Sequence, residues 1–524
     1  MLDILIQNGT VVDGSGLHPR EMHVGVTGDR ITMLTTKPCP AKTIIDATGL
    51  VVAPGFIDTH AHSEFSLLAD GRAEGKIAQG VTTEINGNCG LSAAPLYGES
   101  FERRQSDMEE YHITERWHTF GEYFALLEAR GIALNYATLC GHGNIRGSVV
   151  GYVDRPATRD ELEIMQDMVA GAMRAGARGI STGLIYPPGM YATMDELVLL
   201  MRTAEEHMPG RRLLYATHLR SEGDRLLEAI DEAIGIASRT GSALHVSHLK
   251  TSGEHNWHKA DAVVSRIKTA FQSGLMVTAD RYPYIASSTD LDTILPKWVF
   301  DGGIAAEMSR LADPGMRKKI VQEIGLEEPV WRNIMVSSVC REQNAWMEGE
   351  TLDVIAGKLG KPPVHALMDL LLEEESRTAA IFFSMNEENL KTFLRLPYLM
   401  IGSDSSARSF SGVTAKGKPH PRGFGSFPRF LGKYVRDMKL LSLQEAIHKM
   451  TQLPAETFGL EWRGLVRTNY FADIVVFDPA RLSDPSEFRT PFRRAEGMAH
   501  VLVNGVFALR DGELTGALPG RILR

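Results

Sequence analysis

The sequence predicts an α/β fold in which a (β/α)8 barrel of the TIM type carries a small β-sandwich domain built from both chain termini. Through the middle of the chain, apolar strand-like runs alternate with amphipathic helical patterns, which is typical of a parallel sheet. Eight such runs occur, the number that closes a barrel. Both ends of the chain instead show short strands and turn signals, and these predict the small domain.

The first part of the chain is expected to be all strands and turns. Asn8-Gly9 and Gly28-Asp29 are hairpin turn signals. The predicted strands are Asp3–Gln7, Val11–Asp13, Met22–Val26, Arg30–Leu34 and Thr43–Asp46. The opening residues lack the cationic and long apolar regions of a signal peptide, so we expect a first strand there. Strands Ala472–Phe477 and Val501–Val506, with a turn at Asn504-Gly505, predict that residues 1–53 and 461–524 form one domain.

Residues 54–460 hold the predicted barrel. Its strands are Phe56–His60, Val81–Asn86, Ala133–Leu139, Gly179–Thr182, Leu213–His218, Ala243–His248, Met276–Asp280 and Leu399–Ser403. Thr158 and Glu161 form a capping-box pattern that predicts a helix ending near Arg174. Glu222–Ser238 and Leu443–Thr451 also have helical apolar spacing.

Two stretches of the barrel region depart from simple alternation. The distance between Asp280 and Leu399 exceeds one helix, so an insertion is expected around residues 285–395. Ser405–Phe427, rich in Gly, Ser and Pro, is expected to be a long loop after the last strand.

Composition excludes several classes of partner. The net charge is -9 and no long basic run occurs, which disfavours nucleic acid and anionic membranes. No stretch is long and apolar enough to span a bilayer. The four cysteines are far apart and form no CxxC pair, so a reducing cytoplasm is expected. The sequence leaves open whether the protein forms a homo-oligomer.

Metal-ligating residue types recur near the ends of the predicted barrel strands. In Gly55–His62, two histidines separated by one residue on a strand point to the same face. Because the C-terminal strand ends of a barrel converge on one mouth, residues far apart in sequence meet there. The candidate metal and catalytic residues are His60, His62, Cys89, His218, His248 and Asp404.

This combination of ligands predicts a metal-dependent hydrolase. Thiolate and imidazole suit Zn²⁺, and three protein ligands leave a position for water. Zinc acidifies that water, and a carboxylate such as Asp404 can take its proton and return it to a leaving nitrogen. Cys39, Cys140 and Cys340 are interpreted as packing residues. His142 and His245 are interpreted as structural residues or as supports of the site.

The motif Gly55-Phe-Ile-Asp-Thr-His-Ala-His62, with the later His, His and Asp, resembles the amidohydrolase superfamily. Gly87-Asn-Cys-Gly-Leu-Ser92 resembles the cysteine motif of the D-aminoacylase (N-acyl-D-amino-acid deacylase) family. Strand four lacks the bridging lysine that many other members place after it. Further similar segments are Ser181–Pro187, Thr217–Arg220, Ser247–Lys250, Tyr282–Tyr284, His420–Arg422 and Ala472–Val475.

The resemblance implies hydrolysis of a small N-acyl-D-amino acid to a carboxylate and a free D-amino acid. It implies one zinc held tightly by Cys89, His218 and His248, and a weaker second site at His60 and His62 that shares Cys89. Asp404 would be the general base and acid. The positions matching the family's grip on the D-configured α-carboxylate are Lys250, Tyr282, Ser288 and Arg422.

Three alternatives remain at this stage. A cyclic-amide hydrolase of the hydantoinase or dihydroorotase type, or a dipeptidase, would use the same barrel, and a catalytically silent scaffold would act through assembly. Between Tyr282 and Trp298 no arginine occurs, and the only cation is Lys297, which favours a neutral or hydrophobic D-residue. Leu291, Leu295, Trp346 and Met347 are candidates for an apolar pocket, although core packing explains them equally well.

Overall fold

A computed structural model describes residues 1–208, 210–325 and 330–524. Its strands in chain order are β1 (Leu2–Val11), β2 (Arg20–Thr27), β3 (Arg30–Thr35), β4 (Ala41–Asp46), β5 (Val51–Pro54), β6 (Phe56–Asp58), β7 (Val81–Asn86), β8 (Asn135–Thr138), β9 (Cys140–Gly141), β10 (Ile180–Gly183), β11 (Leu214–His218), β12 (Ala243–Val246), β13 (Val277–Arg281), β14 (Ser287–Asp290), β15 (Ile334–Ser338), β16 (Ala379–Phe382), β17 (Leu399–Ile401), β18 (Ile474–Phe477), β19 (Met498–Val503), β20 (Val506–Arg510) and β21 (Glu513–Leu514).

The helices alternate with the strands through the middle of the chain. They are α1 (Glu64–Ala69), α2 (Glu74–Ile77), α3 (Gly98–Glu110), α4 (Phe120–Arg130), α5 (His142–Val149), α6 (Arg159–Ala175), α7 (Met194–Glu206), α8 (Leu226–Thr240), α9 (Ala260–Gln272), α10 (Gly303–Ala312), α11 (Pro314–Ile324), α12 (Leu352–Leu359), α13 (Pro363–Glu373), α14 (Glu387–Leu394), α15 (Arg422–Arg429), α16 (Leu443–Met450) and α17 (Gln452–Thr457). A π-helix, Phe430–Asp437, continues α15.

Parallel strands form a ring at the centre of the chain, so the predicted α/β fold with a parallel sheet is confirmed. β6, β7 and β8 pair in parallel, and β9, β10, β11, β12, β13 and β17 pair in parallel in that order. β8 and β9 are two pieces of one strand interrupted at Leu139, and a parallel bridge between Ala61 and Ser405 joins the last strand to the first. Among the described residues the ring thus has eight strand positions.

Both chain ends contribute to a second sheet. Within the described residues its order is β21-β20-β19-β18-β5-β1-β2-β3, with β4 paired to β1. The predicted turns at Gly28-Asp29 and Asn504-Gly505 join β2 to β3 and β19 to β20. The predicted turn at Asn8-Gly9 is wrong. β1 continues to Val11, and Asn8, whose φ is 61°, lies in a β-bulge between Ile6 and Gly9.

The stretch between β13 and β17 has a sheet and a core of its own. β16 pairs antiparallel with both β14 and β15. A separate cluster of buried side chains from this stretch includes Leu291, Val299, Leu352 and Leu367. Residues 326–329 of the predicted insertion lie outside the described residues.

Some helices, among them α4, α6 and α7, begin at a side-chain cap. The predicted capping box is confirmed, because Thr158 and Glu161 exchange side-chain and backbone hydrogen bonds at the start of α6. The predicted start at Glu222 is wrong: α8 begins at Leu226, and Glu222 lies in the preceding loop. Helix α15 also begins within the segment predicted as a loop after Asp404. None of the helices in the described residues has the length and apolar character of a membrane span.

Candidate active site

The candidate residues converge at the mouth of the strand ring. His60 and His62 follow β6, Cys89 follows β7, and Asp404 follows β17. His218 is the last residue of β11, and His248 follows β12. A cavity of about 880 Å³ opens here, a size typical of small-molecule sites. Every predicted site residue lines this cavity except His60, which is fully buried beneath it.

Three overlapping groups of side chains bring their ligand atoms within 4.8 Å of one another. They are His60 with Cys89 and His248, His60 with His62 and Asp404, and His218 with Glu222 and His248. Cys89 belongs to the first group and His218 to the third, and His248 is a member of both. The predicted residues meet in one continuous cluster, which also includes Glu222, a residue that the sequence did not single out.

The Cys89 thiol lies between two imidazoles. Its Sγ is 3.2 Å from Nε2 of His60 and 3.4 Å from Nε2 of His248. Burial opposes ionisation, but the charges of His60 and His248 hold the pKa of Cys89 well below its usual value. A buried thiolate is the form of cysteine that binds metal.

Asp404 faces two histidines and a guanidinium. Its Oδ1 is 3.2 Å from Nε2 of His62 and 3.5 Å from Nε2 of His60, and its Oδ2 is 2.8 Å from Nη1 of Arg422. Burial opposes ionisation, but the charges of Arg422 and His60 hold the pKa of Asp404 well below its usual value. Asp404 is thus an ionised carboxylate that can accept a proton. Burial also opposes protonation of His62, yet hydrogen bonds to Asp404 and Cys89 raise its pKa to about 9.

His218 provides the test of whether the cluster suits a metal ion. Its side chain is only 6% exposed, and neither ring nitrogen has a hydrogen-bond partner among the described residues. Such an imidazole would be costly to bury without a partner. A cation shared with a thiolate and a second imidazole would satisfy it, and Cys89, His218 and His248 form a donor set that suits Zn²⁺.

Unusual backbone conformations hold three of the candidate residues. Cys89, His248 and Asp404 have φ of 54°, 37° and 51°, a region that side chains other than glycine rarely adopt and that clusters at functional sites. Close contacts also require glycine nearby. A Cβ on Gly402 would lie 2.6 Å from Cβ of His60, so Gly402 lets the last strand approach the first.

A layer of buried polar residues orients the histidines from below. Asp280 accepts from the backbone N–H of His248 at 2.8 Å, and its carboxylate also contacts Nδ1 of His60 at 3.0 Å and Nε2 of His245 at 2.7 Å. Histidine ligands commonly use the second nitrogen in this way. His245 therefore supports the site, one of the two roles its sequence position allowed. The sequence predicts Asp280 only as the end of a strand.

A second buried network joins the first and last strands of the ring. Lys76 Nζ lies 2.7 Å from Asp58 and 2.6 Å from Glu84, and these three side chains are fully buried. It also donates to Ser403 Oγ at 2.9 Å and to the Ser405 carbonyl at 3.1 Å. The two serines flank Asp404, so Lys76 supports the segment that presents this carboxylate.

The four predicted carboxylate-binding residues all line the cavity. Lys250 is buried and forms an ion pair with Glu222. Arg422 donates to the Ser288 carbonyl at 3.2 Å and lies over the Tyr282 ring at 4.5 Å. Burial opposes ionisation of Tyr282, but the charges of Lys250, Arg281 and Arg422 lower its pKa. The tyrosine hydroxyl has no hydrogen-bond partner among the described residues.

Of the four candidates for an apolar pocket, Leu291, Leu295 and Met347 belong to one core cluster. Leu295 lines the cavity. Leu291 and Met347 are packed in the core of the 285–395 stretch, and Trp346 is 39% exposed beneath the Lys358 ammonium. Core packing is therefore the better interpretation for Leu291 and Met347. Lys297, Arg103 and Arg104 bring positive charge to the cavity wall.

A parallel barrel with this ligand cluster at its mouth defines a metal-dependent hydrolase. The family model described as the amidohydrolase family matches residues 43–508. The chain is 35% identical to a D-aminoacylase of Alcaligenes xylosoxydans xylosoxydans over 99% of this chain and 97% of the relative. An N-acyl-D-glutamate deacylase of the same organism is 34% identical over 100% of this chain and 96% of the relative. This chain belongs to the amidohydrolase family and, within it, to the D-aminoacylase (N-acyl-D-amino-acid deacylase) group.

Solved structures agree with this assignment. A D-aminoacylase crystal structure superposes with a TM-score of 0.83 at 34% identity, covering 100% of both chains. Another match is the N-acyl-D-glutamate deacylase from Bordetella bronchiseptica, solved with zinc and a phosphonate mimic of the tetrahedral intermediate. It superposes with a TM-score of 0.83 at 34% identity, covering 100% of this chain and 99% of that one. A D-hydantoinase structure superposes with a TM-score of 0.57 at 15% identity, which shows a similar fold only.

Proposed function

We propose that this chain is a zinc-dependent deacylase that hydrolyses N-acyl-D-amino acids to a carboxylate and a free D-amino acid. The observation that carries the proposal is the position of the Asp404 carboxylate, 3.2 Å from His62 and 3.5 Å from His60, at the edge of the Cys89 and His248 cluster. Full-length relatives named as D-aminoacylase and as N-acyl-D-glutamate and N-acyl-D-aspartate deacylases support the substrate class.

In this proposal Cys89, His218 and His248 hold one zinc tightly, and His60 and His62 offer a weaker second site that shares Cys89. When bound, zinc polarises the amide carbonyl and acidifies a water molecule. Asp404, ionised because of Arg422 and His60, takes the proton of the attacking water. It then returns that proton to the leaving nitrogen as the C–N bond breaks.

In this proposal the α-carboxylate of the substrate is bound by Lys250, Tyr282, Ser288 and Arg422. A guanidinium offers a two-pronged contact and an ammonium a point charge to one carboxylate. Arg422 is ion-paired with Asp404 at 2.8 Å, so an incoming carboxylate competes with Asp404 for this guanidinium. Binding of substrate then frees the Asp404 carboxylate for proton transfer.

We also propose a preference for a neutral or hydrophobic D-residue. Leu295, which lines the cavity although it also belongs to the core of the 285–395 stretch, supports this preference, whereas Arg103, Arg104 and Lys297 on the cavity wall are cations that an acidic side chain could use. We also propose that residues 1–53 and 461–524 form a β-sandwich domain, that 54–460 form the barrel, and that an insertion occupies about 285–395. A cytoplasmic location and a homo-oligomer stay predictions.

The test is amine release by zinc-loaded protein from N-acetyl-D- and N-acetyl-L-amino acids with apolar, polar, acidic and basic side chains. Hydantoins and dipeptides are assayed beside them. The expected result is release from D-substrates alone, fastest for apolar side chains. Turnover of hydantoins with silence on every N-acetyl-D-amino acid would contradict the proposal. D-selective release that is fastest for acidic side chains would overturn only the side-chain preference.

A further inference from the structure

Two of the four residues proposed to bind the substrate carboxylate come from separate parts of the chain. Ser288 lies in β14, the first strand of the 285–395 stretch, and Arg422 is the first residue of α15. In the described part of the chain, no backbone-to-backbone hydrogen bond joins residues 286–288 to residues 420–422. Side chains therefore make the direct links between these two segments.

The buried imidazole of His420 makes one hydrogen bond to each segment. Its Nε2 lies 3.0 Å from the carbonyl oxygen of Ala286, two residues before Ser288, and its Nδ1 accepts from the backbone N–H of Arg422 at 3.0 Å. Because a carbonyl accepts and a backbone N–H donates, the ring is neutral and carries its hydrogen on Nε2. Burial and the charge of Arg422 also hold the pKa of His420 well below its usual value. The ring cannot turn without breaking one of the two bonds.

Two aromatic side chains fix the plane of the His420 ring. The Tyr284 and Phe488 rings meet it at 85° and 77°, with centroids 5.1 and 5.0 Å away, the edge-to-face geometry that aromatic rings favour. Tyr284 in turn donates to Oδ2 of Asp484 at 2.6 Å. Phe488 and Asp484 belong to the connection between β18 and β19, so the sheet built from both chain ends supports His420 as well.

Arg422 makes a second link between the segments, but with the group that the substrate is proposed to engage. Its Nη2 donates to the Ser288 carbonyl at 3.2 Å, and its Nη1 lies 2.8 Å from Oδ2 of Asp404. An incoming carboxylate would disturb these contacts. The two bonds of His420 use backbone groups only, so they leave the Arg422 guanidinium and the Ser288 hydroxyl free for the substrate.

We propose that His420 is a positioning residue that fixes the Arg422 backbone against the segment carrying Ser288, so that both side chains reach one substrate carboxylate. His420 does not line the cavity and acts through these two residues. A misplacement of about 1 Å can cost a reaction about 100-fold, so the link has a measurable effect. This inference rests on the proposed function, because it assumes that Ser288 and Arg422 bind the carboxylate.

The experiment measures KM and kcat of zinc-loaded protein for an N-acetyl-D-amino acid with an apolar side chain. His420→Leu removes both hydrogen bonds. Because the contact to the α-carboxylate is made in the bound substrate as well as in the transition state, its loss appears mainly in KM. We expect KM to rise about 10- to 100-fold and kcat to fall by a smaller factor, while zinc content stays at the wild-type level.

His500→Leu is the matched control. His500 is also buried, and its Nδ1 likewise accepts from a backbone N–H, that of Asp511 at 3.2 Å. It lies in β19 and does not line the cavity, so its replacement should leave KM at the wild-type value.

Two conservative variants keep one hydrogen bond each. The amide of His420→Gln can donate to the Ala286 carbonyl, and the shorter amide of His420→Asn can accept from the Arg422 backbone N–H. KM for each should lie between the wild-type value and that of His420→Leu. A role in packing alone predicts no such order, and its absence would overturn the inference. Circular dichroism checks the folding of each variant. If His420→Leu does not fold, the two amide variants replace it and should each raise KM above that of the control.

A double variant tests whether His420 acts through Arg422. Since Arg422→Gln already removes the guanidinium, adding His420→Leu, or the amide variant that replaces it, should raise KM by a smaller factor than the same change does alone. Equal factors would mean that the two residues act independently, which would overturn the proposed role of His420.

The outcomes distinguish this inference from the proposed function. Wild-type KM in His420→Leu, or in both amide variants where they replace it, would overturn the role of His420 and leave the deacylase intact. An equal rise of KM in His420→Leu and His500→Leu would overturn it too. Absence of amine release from every N-acetyl-D-amino acid by the wild type would instead contradict the proposed function, and this inference with it.

Discussion

Replacing Lys76 with methionine should destabilise the protein far more than any surface lysine replacement. The ammonium lies 2.7 Å from Asp58 and 2.6 Å from Glu84, and all three side chains are fully buried. Methionine fills much of the space but leaves two buried carboxylates without their cation. Burial already raises the pKa of Glu84 while Lys76 is present, so this environment tolerates negative charge poorly.

Removing one partner of a buried ion pair costs about 3–5 kcal/mol, because the remaining charge loses its compensation. Since a whole domain is stable by only about 5–15 kcal/mol, we expect Lys76→Met to lose a large part of the free energy of unfolding. The assay is guanidinium denaturation of metal-free protein, followed by circular dichroism, with refolding checked for each variant.

Lys42→Met is the matched control. Lys42 and Asp3 form an ion pair at 2.8 Å, nearly the same separation, but the lysine side chain is 61% exposed. Its replacement should leave the denaturation midpoint almost unchanged. Lys76→Met/Glu84→Gln, which removes one of the stranded charges, should recover part of the loss. Equal midpoints for Lys76→Met and Lys42→Met, or no recovery in the double variant, would refute the reasoning.

Three further predictions concern single side chains. Asp404→Asn should lower kcat by about 10²- to 10⁴-fold, the usual share of a general base, while zinc content measured by atomic absorption stays at the wild-type level; wild-type turnover with zinc bound would exclude Asp404 as the base. Arg422→Gln should raise KM and, because Arg422 lowers the pKa of Asp404, move the acid limb of the pH–rate profile to higher pH; an unmoved limb would contradict the ion pair. Burial lowers the pKa of Lys449 from 10.5 to about 7, so between these values the unfolded chain binds more protons than the folded chain and stability rises with pH. Relative to Lys449→Met, the wild type should therefore gain up to about 1.4 kcal/mol per pH unit from pH 7.5 to 9, measured by denaturation at each pH; parallel pH dependences would contradict this.

The strand ring could be predicted from sequence because each of its strands is a short apolar run with a clear end. The prediction of Val81–Asn86 matches β7 at both ends, and Leu213–His218 differs from β11 by one residue. The candidate metal ligands could be predicted from the same apolar runs. A histidine, cysteine or aspartate at the end of an apolar strand is costly to bury, so its presence there indicates a function. The capping box at Thr158 and Glu161 is equally local.

Residues whose role depends on distant partners could not be predicted. Glu222 begins a helical apolar pattern, so the sequence predicts it in a helix. Only the fold brings it to His248 and Lys250. In the sequence, Lys76 looks like a surface lysine. The fold buries it and pairs it with Asp58 and Glu84. No local pattern signals a buried charge whose compensation comes from other strands.

The turn error has a different physical origin. Asn-Gly is a strong hairpin signal because both residues accept positive φ. Asn8 does adopt φ 61°, but Gly9 pairs with Met22 and the strand goes on. A bulge uses the same backbone conformation as a turn, so the dipeptide alone does not distinguish them.

The most direct test of zinc-dependent, D-selective deacylation is a zinc titration of metal-free protein with amine release as the readout. The substrates are an N-acetyl-D-amino acid with an apolar side chain and its L-isomer. We expect activity on the D-isomer to rise with zinc and to reach its maximum near one equivalent per chain, while the L-isomer is not hydrolysed. Full activity without zinc, or no activity on any N-acetyl-D-amino acid at any zinc ratio, would contradict it.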